Sequence, residues 1–152
     1  MASPKSTLSL IRQALLLILL FGVVGTEAEL LLLNHTDGFW QLIPVALNAI
    51  TLVAIGWYAL ARSAASIRAI QCIMVVCLIS GGVGVVHHFN ANVRDAAESN
   101  PGLTRREVYL EATEGTTPAL APGTMVQLAL IGLAFSYRHP RLGAMKDDAE
   151  TH

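Results

Sequence analysis

Charge is scarce in this chain, and so are cysteines and aromatic rings. Asp, Glu, Lys and Arg together make up 14% of 152 residues, where a soluble domain carries roughly 25%. A water-facing surface cannot be built from so few, which argues against a soluble globular domain. The 10 basic and 11 acidic residues nearly cancel, at a net charge of -1, and form no basic stripe; no nucleic-acid interface is expected. Two cysteines give no disulfide framework. Cys72 and Cys77 are spaced ~8 Å apart along a helix, beyond the ~7 Å reach of a bridge. They also lack the C-x-x-C spacing of membrane thiol oxidoreductases, so packing is the expected role of both. No nucleophile elbow, phosphate loop, H-E-x-x-H, H-x-x-x-H or E-x-x-H spacing occurs. The reading therefore leans away from an enzyme.

What the chain has instead is apolar length. Hydrophobic residues reach 53%, gathered in runs at 14–33, 39–61, 69–88 and 119–137. Each is close to the ~20 residues that a helix needs to cross a ~30 Å hydrocarbon core. The runs are continuous, whereas barrel strands alternate over ~10 residues. The expected fold is all-α: one domain, an integral-membrane, four-helix antiparallel bundle. Short connections at 34–38 and 62–68 join the first three spans. A long connection at 89–118 carries a short helix from Leu103 to about Glu114, opened by a Thr104–Glu107 capping box. A polar tail follows at 138–152. The lipid bilayer is the partner that the runs imply; other membrane subunits or a second copy are also open.

Sign asymmetry orients the bundle. Lys5, Arg12, Arg62, Arg68, Arg138, Arg141 and Lys146 fall on one side, against Arg94, Arg105 and Arg106 on the other. Seven against three is a positive-inside bias. Both termini are expected in the cytoplasm, in a plasma membrane of the bacterial inner-membrane type. Trp40, Trp57 and Tyr58 suit interfacial anchors. A second reading stands at the N-terminus: Lys5, Arg12 and the apolar run resemble a signal peptide, with Thr26-Glu27-Ala28 as a loose cleavage site. Against it, the run resumes at once as Leu30 to Leu33. Asn34-His35-Thr36 matches a glycosylation sequon, which matters only in a eukaryotic secretory pathway.

Polar residues inside the runs define the candidate site. Glu29 and Glu27 lie ~6 and ~9 Å below the outer edge of the first span, where an ionisable group is disfavoured unless something offsets the cost. The two point ~200° apart. Glu29 shares its face with Gly22, Gly25 and Thr26, and is expected inward; Glu27 shares its face with Leu20, Val23 and Val24, and is expected at the rim. Gln41 and Asn48 stripe the second span, Ser80, Gly81, Gly84, His87 and His88 the third, and Thr124 and Gln127 the fourth. Converging stripes would line an outward chamber with Glu29, Gln41, Asn48, Ser80 and Gln127 as ligand-binding groups. His35, His87, His88, Glu107 and Glu111 are the candidate metal donors.

Imidazole with carboxylate suits a transition metal. Haem is the second choice, because it needs a flat slot between spans and these histidines sit at the rim. A small polar ligand or a cation fits the same groups. The competing reading makes Asn48, Ser80, Thr124 and Gln127 interhelical hydrogen bonds of ~0.6 kcal/mol each, in a non-catalytic accessory subunit of a larger membrane complex. Small four-helix multidrug transporters are similar in carrying an acid in their first span. They are shorter, with tight loops throughout and that acid mid-helix, so their activity does not carry over.

Overall fold

Apolar runs become helices here and end where the sequence supplies a stop. The computed structural model describes residues 4–115 and 121–143. It is all-helical, with no strand among the described residues: α1 (Pro4–Leu32), α2 (Phe39–Ala61), α3 (Ala64–Ser99), α4 (Arg105–Thr113) and α5 (Gly123–Ser136). α1, α2 and α3 are each long and apolar enough to cross a membrane, and α5 is a shorter apolar helix.

The corners are built from local chemistry. α1 closes with Asn34 in the left-handed region at φ 49°, where the His35 N–H returns to the Leu30 carbonyl at 2.9 Å. An αL residue after the last turn satisfies carbonyls the helix leaves open. α2 begins after Gly38, with the Asp37 N–H donating to Gln41 Oε1 at 3.0 Å. It stops at Arg62, also left-handed at φ 46°, whose N–H returns to Tyr58 O. Ser63 then opens α3 through a reciprocal capping box with Ser66. The whole α2–α3 corner is two residues, shorter than the expected 62–68 connection.

α3 departs from expectation at its other end. It has 36 residues and runs eleven beyond residue 88, through a stretch read from its polarity as loop. Residues 89–99 contain no glycine or proline, and α4 folds back to cover one side of them. Asn92 is 2% exposed and Ala96 7%; the Asn92 Nδ2 donates to the Ala112 carbonyl at 3.1 Å, and Phe89 stacks on Tyr109. α4 carries the expected capping box between Thr104 and Glu107. It rests on α3 and not across the rim of the other helices.

α5 is shorter than the expected span at 119–137, with 14 residues or roughly 21 Å of helix. Pro122 occupies its N-cap after a turn at Ala121, and residues 119–120 lie outside those described.

α1 packs on α2 and α5, while α3 packs on α2 and α5 as well as α4. Leu19, Val23, Ile67, Ile70, Met74, Ala129 and Phe135 fill the centre. Glycines let α3 and α5 approach closely, Gly81 and Gly132 among them. A Cβ on Gly132 would collide with the Met74 side chain, and one on Gly81 would sit 3.0 Å from both Pro122 O and Val126 N. Outward faces are apolar: Phe21 is 83% exposed, Val53 73% and Leu60 90%. In water each would forfeit the gain from burying apolar area, ~25 cal/mol per Å². Contact with a bilayer removes that cost. Of the two cysteines, both free, Cys77 is buried, with its Sγ 3.9 Å from Thr51 Oγ1; Cys72 is exposed and packs little, against expectation.

Candidate functional site

One end of the molecule holds a cavity of about 570 Å³, reached by the end of α1, the start of α2, the middle of α3 and the start of α5. Its polar lining is Thr26, Glu29, His35, Gln41, Ser80, His87, His88 and Thr124. The rest is mainly apolar, with Leu30, Ile43, Pro44, Val83, Pro122 and Met125 among the walls. That size and composition match small-molecule sites, which run ~300–1,000 Å³ with few polar groups on an apolar lining.

Each polar group has a local reason for its place. His35 is carried there by the left-handed Asn34. Gln41 is fixed at the first turn of α2 by the Asp37 N–H. Ser80 and Gly84 flank the helix face where Gly81 lets α5 approach. His87 stacks on Trp40 at 5.8 Å and 25°, and His88 meets His87 edge-on at 6.5 Å. This aromatic row joins α2 to α3 along one wall; Trp40, expected as a lipid anchor, is part of it.

Other candidates lie elsewhere. Gln127 is exposed and Asn48 is buried, and neither lines the cavity. Glu107 and Glu111 sit on the exposed face of α4. The Glu107 carboxylate accepts from Thr104 Oγ1 at 2.7 Å and Thr104 N at 2.8 Å, which holds it below the usual carboxylate range. Glu111 accepts from Asn100 Nδ2 at 2.9 Å. Among the described residues no three His, Cys, Asp or Glu side chains converge as a metal would require. The expected donor set therefore does not fit a metal ion.

Of the two acids of α1, Glu29 stands on the cavity wall where it is expected, and Glu27 departs from the rim position expected of it. Leu19 and Val23 are buried, and Glu27 continues that stripe at the next i+4 position, so it faces inward against Asn48 of α2. Glu27 Oε2 and Asn48 Nδ2 are both buried and face each other just outside strict hydrogen-bond geometry. Glu29 is exposed and lines the cavity. The small-residue face is split along its length: a Cβ on Gly22 would collide with Leu128 of α5, whereas one on Gly25, nearer the cavity, meets nothing.

The opposite end has a polar centre that the sequence did not announce. His139, 7% exposed, packs against Tyr58 and Phe135 at 5.9 and 5.6 Å between ring centroids. The Arg141 N–H donates to His139 Nδ1 at 3.4 Å. This leaves the proton of the neutral ring on Nε2, which faces Tyr58 Oη at 3.4 Å. Tyr58 is half-buried and packs edge-on against both Phe135 and His139. Arg12 Nη2 donates to the Tyr137 and Arg138 carbonyls at 3.4 and 3.2 Å, a cation at the end of a helix where the dipole favours one. The only advance sign was the Arg-His-Pro-Arg run at 138–141.

Burial, then the charges of Arg12 and Arg141, push the His139 pKa down from its usual value. The folded state thus takes up this proton less readily than the unfolded chain, whose histidine titrates near ~6.5. Stability from this group is complete above that pH and falls as pH drops through and below it. Melting temperature in detergent is expected to decline from pH 7 to 5, with a shallower slope in His139→Gln. Equal slopes would remove His139 from the account.

Compared with family models, curated proteins and solved structures, the chain matches none.

Proposed function

We propose that the chain is a four-span antiparallel bundle of a bacterial plasma membrane, both termini cytoplasmic, whose outward cavity binds a small amphipathic ligand with an apolar body and a cationic or hydrogen-bond-donating head. The observation that carries this reading is convergence. Glu29 from α1, His35 from the turn after it, Gln41 from α2, and His87 and His88 from α3 border one mostly apolar cavity of about 570 Å³. Among the described residues Glu29 is the only carboxylate in that lining, and Trp40 lines the same cavity, so an amine finds both a counter-charge and an aromatic side chain. The apolar walls hold the remainder of the ligand. Support for the orientation comes from Arg12, Arg62 and Arg141, which gather at the end away from the cavity, as a cytoplasmic face requires.

The test is binding by purified protein, read as thermal stabilisation across a series of alkylamines and matched alkyl alcohols. Amines are expected to stabilise the wild type more than the alcohols do. Glu29→Gln should weaken amine binding about tenfold, or ~1.4 kcal/mol, and His88→Ala should weaken both classes. No stabilisation by any member, or an unchanged amine affinity in Glu29→Gln, refutes the reading.

An accessory role has one observation of its own: the α3–α4 hairpin, which extends past the cavity-lining residues and carries exposed Glu98, Glu107, Glu111 and Glu114. Under that reading the hairpin docks a partner, and deleting it would release the chain from a larger complex without altering ligand binding.

A further inference from the structure

We propose that the end of the molecule opposite the outward cavity carries a second site, which binds the phosphate group of an anionic ligand. A recess of about 400 Å³ is lined by three arginines from separate parts of the chain: Arg12 of α1, Arg62 at the end of α2 and Arg141 after α5. Ser9 and Gln13, one turn apart on α1, add neutral hydrogen-bonding groups, and among the described residues no carboxylate lines the recess.

Three like charges around one concavity repel unless something of opposite sign enters. The geometry holds them there nonetheless. Arg12 is fixed by the Tyr137 and Arg138 carbonyls through one nitrogen, Nη2, which orients the rest of its planar fork. Arg62 stands at φ 46°, a left-handed position where glycine is the default residue. The turn alone would be better served by glycine; an arginine there brings its charge to the recess. Buried His139 and its ring neighbours make a firm floor. Guanidinium forks match phosphate oxygens in pairs, and basic pockets between helices on a cytoplasmic face take lipid head groups. The shared chemistry is a phosphate oxyanion, carried by a phospholipid or free in solution.

The recess is separate from the outward cavity, so either site can fail without the other. The experiment uses full-length protein in mild detergent, titrated with phosphatidic acid, phosphatidylcholine or inorganic phosphate and read by native mass spectrometry and thermal shift. Phosphatidic acid is expected to form a one-to-one adduct at least tenfold tighter than phosphatidylcholine. Arg62→Gly, which keeps the left-handed turn comfortable, and Arg141→Gln should each weaken it at least fivefold. Arg68→Gln, on exposed α3 surface outside the recess, should leave it unchanged. Competition by inorganic phosphate at millimolar levels would support a free anion as the source; its absence, with the lipid adduct retained, would support the head group. Equal affinity for the two lipids with no phosphate binding overturns the proposal. So does a loss in Arg68→Gln equal to that in Arg62→Gly. Binding seen only after Asp147, Asp148 and Glu150 are neutralised would hand the recess to the chain's own carboxylates and overturn it as well.

Discussion

Gly81→Leu is expected to force α3 away from α5, lower the melting temperature by roughly 5–10 °C and abolish ligand-dependent stabilisation at the cavity lined by Glu29 and His88. A Cβ at this position would lie 2.8 Å from Val126 Cγ2 and 3.0 Å from both Pro122 O and Val126 N. A side chain can rotate away, but a carbonyl oxygen and an amide nitrogen at the start of α5 can move only with the helix. Over-packing costs ~1–3 kcal/mol, and ~2–4 °C per kcal/mol is usual at this chain length. The cavity is affected because Ser80, Gly84, Pro122 and Met125, which border it, flank the contact. Gly82→Leu is the matched control, since nothing lies within 4 Å of a Cβ there. Similar melting temperatures for the two variants would show that α3 and α5 are not held as close as described.

The pair Glu27 and Asn48 should give a strongly non-additive cycle. Asn48→Leu leaves the inward carboxyl facing hydrocarbon, and Glu27→Leu leaves the amide in the same position. A buried polar group without its partner costs ~1–3 kcal/mol, whereas replacing both by apolar groups of similar shape is nearly neutral. Each single variant is therefore expected to unfold earlier in a denaturing-detergent titration. The double variant should recover most of the loss. Additive losses would mean that the two side chains do not share an environment, despite their apposition between α1 and α2.

How much of this could be read from the residues alone depends on whether the cause was local. α2 is legible to the residue: its apolar run lies between Gly38 and Arg62, and the helix has those limits. So is the start of α4, because Thr104 and Glu107 satisfy each other's backbone without outside help. The overhang of α3 was not legible, since residues 89–99 are polar and their helix is covered by α4, an element contacted only after the turn at residues 101–102. The inward place of Glu27 was hidden for a related reason. Small residues and apolar residues can each mark an interior face, and only the positions of neighbouring helices decide. Glu29, His35, Gln41, Ser80, His87 and His88 could be singled out because helical spacing places polar residues at one depth. The Arg12–Arg138 contact, 126 positions apart in sequence, has no local signature.

The length of α3 has a mechanical consequence. At ~1.5 Å per residue its 36 residues make a rod of roughly 54 Å, against ~30 Å of hydrocarbon. At Gly81 the backbone of α5 comes close enough to serve as a pivot. Ser99 lies about 27 Å further along, so a rotation of about 5° there swings the tip by roughly 2 Å. A tilt of α3 beside the cavity would thus be magnified at the α3–α4 hairpin.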